Sequence, residues 1–257
     1  MEEKIAAFGR LLGIMDELRA KCPWDKKQTM ESLRYLTIEE MYELSSAVLE
    51  KDMEMIKKEL GDLMLHLVFY SKIASEKQAF DILDVLNNII EKLIHRHPHI
   101  FGDVQVKDAK EVHDNWEKIK LKEKGNYSVL SGVPTSLPAM VKAYRIQEKA
   151  SGVGFDWENA EQVWEKVLEE MEELRQVVER RDSHSRKEHE LGDLLFSIIN
   201  YARTIEVNPE DALERTNRKF IKRFSYLEEI AKGLNKPLHE MTLAEMDGYW
   251  NEAKKFE

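Results

Sequence analysis

The sequence is poor in cysteine, glycine and proline, and each shortage excludes a class of structure. Its 257 residues include one cysteine, Cys22, so an internal disulfide is impossible and we expect a reducing compartment. Only 11 Gly and 6 Pro are available to break helices. This composition favours an all-helical protein.

Long apolar segments are also lacking. The longest apolar runs, such as residues 63–70 with His66 inside, are too short to span a bilayer. The opening residues Met1-Glu2-Glu3-Lys4 carry no apolar stretch of the kind found in secretory signals. We therefore expect a cytoplasmic protein that does not insert into a membrane.

Positive charge is outnumbered by negative charge. The formal net charge is −10 at pH 7, so the surface as a whole is expected to repel DNA, RNA and anionic lipid. The sequence contains neither a glycine-rich phosphate loop nor a recognisable Ser/His/Asp nucleophile set. Its 42% hydrophobic and 34% charged residues are typical of a soluble globular protein. From the negative net charge we expect no nucleic-acid partner.

The chain does contain carboxylate pairs at helical spacing. Residues 169–173 read EEMEE and residues 190–193 read ELGD. On a helix, Glu170 shares a face with Glu173, and Glu190 shares a face with Asp193. A polar loop at residues 180–187 predicts a helical hairpin in which the four carboxylates converge. Since they repel one another, they require cations, and an all-oxygen ligand set favours Mg²⁺, with Mn²⁺ as a substitute.

The same pattern occurs twice in register along the chain. Segment IEEMYEL at 38–44 aligns with LEEMEEL at 168–174, and ELGD occurs at both 59–62 and 190–193. Such a repeat predicts two copies of one helical unit.

We therefore predict an all-α fold, a tandem repeat of two helical-bundle domains of four or five helices each, with no significant sheet. The expected domains are residues 1–124 and 139–257. A linker rich in Gly, Ser and Pro is expected between them at residues 125–138.

Each ELGD motif places a glycine in the middle of a predicted helix. Glycine there costs about 1 kcal/mol relative to alanine, so Gly61 and Gly192 require a reason. Close approach of the partner helix is one such reason, because it would also draw the carboxylates together.

Basic and aromatic residues follow each hairpin. Lys219 and Arg223 form an i, i+4 pair on one helix face, and Lys92 and Arg96 occupy the corresponding positions in the first half. The pair at 219 and 223 could form ion pairs with surface acids, or hold the phosphates of a substrate that the metal also contacts. Similarly, Trp250 could stack on a base or pack in the core.

Together these motifs closely resemble those of the MazG family of nucleoside triphosphate pyrophosphohydrolases. The resemblance covers residues 5–253 approximately and includes the segments CPWD at 22–25, RHPH at 96–99, LPA at 137–139 and VGFDW at 153–157. It implies an all-α pyrophosphatase fold and a homodimer of tandem domains. It also implies Mg²⁺-dependent hydrolysis of nucleoside triphosphates to monophosphate and pyrophosphate, with broad NTP and dNTP specificity and a role in nucleotide-pool control.

The resemblance also implies site residues, with the C-terminal half as the expected catalytic unit. The implied Mg²⁺ ligands are Glu170, Glu173, Glu190 and Asp193. The implied nucleotide contacts are Lys166, Arg186, Lys187, Lys219, Arg223 and Trp250. Glu169 and Glu173 are the candidates for the carboxylate that accepts the proton of the attacking water.

The N-terminal half keeps the same residue types and is a candidate second site. Its corresponding residues are Glu40, Glu43, Glu59, Asp62, Lys92 and Arg96. The connection at residues 50–52 is short, whereas the second half has a longer polar loop with several basic residues. We therefore expect the first half to be competent to bind metal but poor in nucleotide contacts, and chiefly to build the dimer.

Two other functions remain open from the sequence. A narrower pyrophosphatase that removes dUTP or damaged nucleotides would use the same site. A nucleotide-sensing or partner-binding helical scaffold would keep the metal sites without turnover. No base-reading set of hydrogen-bonding residues is legible, so the sequence does not rank bases or sugars.

Overall fold

The computed structural model describes residues 1–108, 111–112, 115–116, 119 and 128–256, and across these ranges it is helical without a strand. The predicted all-α fold is confirmed. The chain divides into two compact units, Met1–Val112 and His113–Glu257, and each contains one copy of the repeat. None of the described helices is long and apolar enough to cross a membrane.

The predicted domain limits stay a prediction. Position 124, and residues 125–127 of the predicted linker, lie outside the described ranges. The described part of the linker contains a short 3₁₀ helix, Val129–Gly132.

The first unit is built on a helical hairpin packed against an N-terminal helix. Its described helices are α1 Glu2–Lys21, a 3₁₀ turn Asp25–Lys27, α2 Met30–Glu50, α3 Met53–Glu76, α4 Ile82–Arg96 and α5 Pro98–Phe101. The core lies where α1, α2 and α3 meet, and its buried members are Met15, Leu33, Val68, Phe69 and Ile73. Burial of these apolar side chains stabilises the hairpin that carries the first glutamate motif.

The second unit repeats the hairpin and adds helices on either side. Its described helices are α6 Ala139–Ser151, α7 Ala160–Glu179, α8 His184–Thr204, α9 Pro209–Gly233 and α10 Leu243–Ala253, with 3₁₀ turns at Leu238–Glu240 and Lys254–Phe256. Helix α6 is held on α8 because Gln147 Nε2 donates to the carbonyl of Phe196 at 2.8 Å. The C-terminal part closes around Leu227, Ala231 and Met241, which form a second buried cluster.

Both hairpins turn in the same way. Lys51 follows α2 with φ 59°, and Arg181 follows α7 with φ 57°, so each chain reversal uses one left-handed residue. Asp52 then caps α3 by accepting from the amides of Glu54 and Met55 at 3.0 Å. Local capping chemistry therefore sets the start of the helix that carries ELGD.

A buried polar cluster lies inside the first hairpin. His66 is 7% exposed, and its Nδ1 lies 2.8 Å from the Thr37 hydroxyl, which is also 2.8 Å from the Tyr70 hydroxyl. Burial lowers the pKa of His66, and the nearby Asp62 opposes this only in part. The folded state therefore favours the neutral imidazole.

This depressed pKa predicts that stability falls on acidification. Below about pH 6.5 the unfolded chain takes up a proton that the folded His66 resists, so the contribution of His66 to stability decreases as the pH falls below that value. We expect His66→Gln to flatten that part of the pH profile in chemical denaturation. His239→Gln, at a side chain that is 82% exposed, is the control and should leave the profile unchanged. If the pH profile of His66→Gln matched that of the wild-type chain, the pH dependence would not be due to His66.

Candidate metal centre and nucleotide site

Three carboxylates from α7 and α8 converge in the second unit. Glu170 lies on α7, Glu190 and Asp193 lie on α8, and one oxygen from each lies within 4.8 Å of the other two. Glu170 and Glu190 are 7% and 3% exposed, whereas the Asp193 side chain is 47% exposed. The cluster thus has a buried floor and an open rim. Its all-oxygen donors suit a hard divalent cation.

Lys166 stands at the edge of this cluster, one turn before Glu170 on α7. Its Nζ lies 2.7 Å from Glu170 Oε1 and 2.7 Å from Glu169 Oε1. These hydrogen bonds, the one to Glu169 first, raise the pKa of Lys166 above its ordinary value. The ammonium therefore stays charged and partly compensates the carboxylates.

Two further cationic or titratable side chains reach the cluster from α8. Arg186 Nη2 lies 3.0 Å from Glu190 Oε1, and His189 Nε2 lies 3.4 Å from Asp193 Oδ2. Both pairs are one helical turn apart. An open depression of about 610 Å³ extends beside them, lined by Ser183, Ser185, Arg186, Glu188, His189, Gly192 and Asp193. Arg186, His189 and Asp193 of α8 thus border one accessible surface.

The resemblance already included His189, within the nucleotide-contacting segment 186–189, whereas sequence reasoning missed Ser183 and Ser185 as lining residues. The available signal was the preference for serine at a helix N-cap, the position that Ser183 occupies on α8.

The predicted long loop between the two glutamate helices is wrong. Only residues 180–183 connect α7 to α8, because Ser183 accepts from the amide of Arg186 at 3.3 Å and caps α8. Arg186 and Lys187 therefore lie in the first turn of α8. A helical position holds their side chains in a narrower range of directions than a mobile loop would.

Of the four predicted metal ligands, the structure brings three together. Glu173 lies one turn beyond Glu170 on α7, is exposed, and is not among the converging oxygens. Glu169 is exposed as well and accepts from Lys166 at 2.7 Å. The proton-accepting roles of Glu169 and Glu173 stay predictions.

One member of the basic pair on α9, Arg223, packs on an aromatic ring. Arg223 Cζ lies 5.5 Å from the centre of the Trp250 ring, a cation–π distance, and Phe220 packs on the same ring at 5.0 Å. Trp250 on α10 is half-buried, and Lys219 is exposed one turn before Arg223. Trp250 therefore packs against protein neighbours and at the same time positions the guanidinium.

The two glycines do not serve close helix packing, and that interpretation was wrong. A Cβ atom added at Gly61 or at Gly192 would meet no other atom within 4 Å. Both residues are exposed, and Gly192 lines the open depression beside Asp193. The carboxylates converge without help from a glycine contact.

This openness predicts that alanine stabilises both positions. Gly61→Ala and Gly192→Ala should each raise the free energy of unfolding by about 1 kcal/mol, since both are mid-helix positions with open space. Chemical denaturation followed by circular dichroism measures the change. If ligand approaches Gly192 closely, its alanine variant alone should also raise KM, with Gly61→Ala as the matched control. Destabilisation of either variant would contradict the open geometry.

The first unit contains a corresponding cluster. Oxygens of Glu40, Glu43 and Glu59 lie within 4.8 Å of one another, with Glu59 completely buried. Burial and then the charge of Asp62 raise the pKa of Glu40, so Asp62 acts on the cluster without joining its three closest oxygens. On α4, Lys92 is exposed and Arg96 is half-buried.

Fold and clusters together define a class of protein, namely an all-α tandem repeat in which each helical hairpin gathers carboxylates. The MazG nucleotide pyrophosphohydrolase domain matches this chain twice, at residues 28–101 and 158–227, and each match contains one hairpin. The chain belongs to the MazG nucleotide pyrophosphohydrolase family.

Curated relatives align with nearly the whole chain. The nucleoside triphosphate pyrophosphohydrolase/pyrophosphatase MazG of Thermotoga maritima is 45% identical over 258 residues, covering 99% of this chain and 98% of that protein. The nucleoside triphosphate pyrophosphohydrolase of Escherichia coli is 38% identical, covering 96% and 97%. The uncharacterized protein YabN of Bacillus subtilis is 45% identical over all of this chain but only 54% of its own length.

Proposed function

We propose that the chain hydrolyses nucleoside triphosphates to nucleoside monophosphate and pyrophosphate at the cluster of the second unit. The observation that carries this proposal is the convergence of buried Glu170 and Glu190 with exposed Asp193, beside an open depression whose polar lining includes Arg186. The names of the relatives from Thermotoga maritima and Escherichia coli support the same reaction.

We propose Mg²⁺ as the cation, with Mn²⁺ as a substitute. Glu170, Glu190 and Asp193 would hold it, because three carboxylates within 4.8 Å provide the oxygen ligands that these hard ions prefer. A bound divalent cation supplies charge neutralisation and polarisation of phosphate oxygens. Glu173 would be the fourth ligand by the family pattern, although it is not among the three converging carboxylates.

The basic residues position the triphosphate. Lys166 and Arg186 contact the cluster from its edge, so each is placed to transfer hydrogen bonds from a carboxylate to a phosphate oxygen. Lys187 lies beside Arg186 in the first turn of α8, where the helix N-terminus also favours anions.

The remaining residues act on the leaving group, the water and the nucleoside. Lys219 and Arg223 would neutralise the departing pyrophosphate, and Trp250, which packs on Arg223, would lie against the nucleoside. Water attacks the α-phosphorus, the bond from that phosphorus to the bridging oxygen breaks, and Glu169 or Glu173 accepts the proton.

The resemblance also leads us to propose a cytoplasmic homodimer that acts on many NTPs and dNTPs and so limits unwanted nucleotides. Sedimentation of the purified chain tests the dimer, and comparison of substrates tests the breadth. A strong preference for dUTP or for oxidised bases would favour the narrower pyrophosphatase.

Product analysis tests the reaction itself. The purified chain is incubated with each NTP and Mg²⁺ in H₂¹⁸O. The products are then separated, and their masses are measured by mass spectrometry. We expect monophosphate and pyrophosphate, with the heavy oxygen in the monophosphate because attack occurs at the α-phosphorus. Diphosphate and inorganic phosphate would contradict the proposed cleavage. Nucleotide binding without any product would support the scaffold function instead.

A further inference from the structure

One lysine of the first unit contacts three carboxylates at once. Lys58 Nζ lies 2.8 Å from Glu59 Oε1, 3.8 Å from Asp62 Oδ2 and 3.9 Å from Glu43 Oε2. These three acids correspond to Glu190, Asp193 and Glu173 of the second unit. The ammonium thus sits among carboxylates of the first hairpin, where a metal ion would compensate the same charges.

The carboxylate nearest to Lys58 belongs to Glu59, and its negative charge requires compensation because it is buried. Glu59 is completely buried, and its second oxygen, Oε2, has no hydrogen-bond partner among the described residues. Burying a carboxylate is costly unless a cation or hydrogen bonds compensate it. Lys58 supplies that compensation from the neighbouring position in the chain.

The second unit compensates its cluster differently. His189 occupies the position of Lys58, and it contacts Asp193 at 3.4 Å. Of the three cluster carboxylates, Lys166 contacts Glu170 and Arg186 contacts Glu190, so different cations serve different members. The described contacts place these cations around the second cluster, whereas Lys58 is shared by several members of the first.

The first hairpin also lacks two of the basic residues that contact the second cluster. By the alignment of the two repeats, Leu36 stands at the position of Lys166, and Met55 stands at the position of Arg186. Neither residue can bind a phosphate by charge. A cation held here would therefore have little phosphate-binding support from the hairpin.

We propose that Lys58 is the resident cation of the first cluster and excludes a divalent metal ion from it, so that the chain holds divalent metal only at the second cluster. This inference deepens the proposed function, on which it rests for the second site. The Lys58 ammonium compensates the carboxylates of the first cluster in place of a metal ion, so this cluster is stable without a bound metal. A divalent ion could enter only by displacing the ammonium from Glu59.

Mn²⁺ binding to the full-length chain tests this inference. Binding is measured by the electron paramagnetic resonance of free Mn²⁺ and by calorimetry, in a Glu190→Gln background that disables the second cluster. With Lys58 present, we expect no specific Mn²⁺ binding. Adding Lys58→Met should create one binding class, with affinity at the first cluster increased by about tenfold or more. Its melting temperature should then rise with Mn²⁺.

Two matched controls separate charge from disruption. Lys57→Met removes the neighbouring lysine, which pairs with Glu54 on the surface, and should create no Mn²⁺ site. Lys58→Arg keeps a cation and should also create none.

Two results would overturn the inference. One is Mn²⁺ binding by the Glu190→Gln chain with Lys58 intact, provided that Glu59→Gln removes it. The other is a folded Lys58→Met, Glu190→Gln chain that binds no Mn²⁺. The first result needs no Lys58 variant, so the inference stays testable even if Lys58→Met fails to fold. By contrast, a chain with both clusters intact that binds Mn²⁺ but releases no pyrophosphate would contradict the proposed function alone.

Discussion

Replacing Glu190 by glutamine is expected to reduce kcat for NTP hydrolysis by about 10²- to 10³-fold, comparable to the removal of one electrostatic contact to a transition state. Glu190 is 3% exposed and converges with Glu170 and Asp193, so glutamine keeps the shape while it removes one negative charge from the metal site. Weaker metal binding should accompany the lower turnover. Steady-state assays over a series of Mg²⁺ concentrations measure both changes.

The repeat supplies the matched control. Glu59→Gln makes the same change at the same ELGD position in the first unit, where the side chain is completely buried. If only the second cluster is catalytic, the turnover of Glu59→Gln should stay within a few-fold of the wild-type value. Circular dichroism checks that both variants are folded. Equal losses from Glu190→Gln and Glu59→Gln would mean that both halves take part, and no loss from Glu190→Gln would remove the cluster from the mechanism.

Substituting Arg223 is the second change with a large expected effect. We expect Arg223→Met to lower kcat/KM by about 10²-fold, because the guanidinium compensates charge that develops on the departing pyrophosphate. Arg223→Lys should recover only part of the loss, since lysine keeps the charge but loses the planar fork and its stacking on Trp250 at 5.5 Å. Kinetics with varied NTP concentration separate KM from kcat.

The corresponding position in the first unit again provides the control. Arg96→Met should leave kcat/KM nearly unchanged if the first cluster does not turn over nucleotide. Full activity of both Arg223→Met and Arg223→Lys would contradict a phosphate-binding role for Arg223. The role of this residue would then be limited to packing against Trp250. An effect on stability without an effect on activity would lead to the same conclusion.

Much of the site could be predicted from the sequence because the relative positions of its residues depend on neighbours in the chain. Glu190 and Asp193 are three residues apart on one helix, so the helical period alone predicts that they share a face. The duplicated motif predicted two hairpins, and the turn at Lys51 and Asp52 follows from local capping chemistry. Such features depend on neighbours within a few positions along the chain.

Other features could not be predicted because they depend on contacts between helices. Glu173 has the right spacing, yet the packing of α7 on α8 leaves it outside the three converging oxygens. The space beside Gly192 is open rather than filled, which depends on the distance to every surrounding atom. In the sequence nothing distinguishes Lys58 from other surface lysines. Its ammonium approaches Glu43 only because the hairpin packs α2 against α3.

By itself the sequence determined the all-α repeat, the family and the residue types available to hold a cation, since helical period, capping and motif spacing are properties of the chain. Tertiary structure decided which carboxylates meet, which of them are buried, and which cation stands beside each. The physical reason is that burial and charge compensation depend on three-dimensional distances. Equal motifs in the two halves can therefore form clusters as different as those around Lys58 and around Glu190.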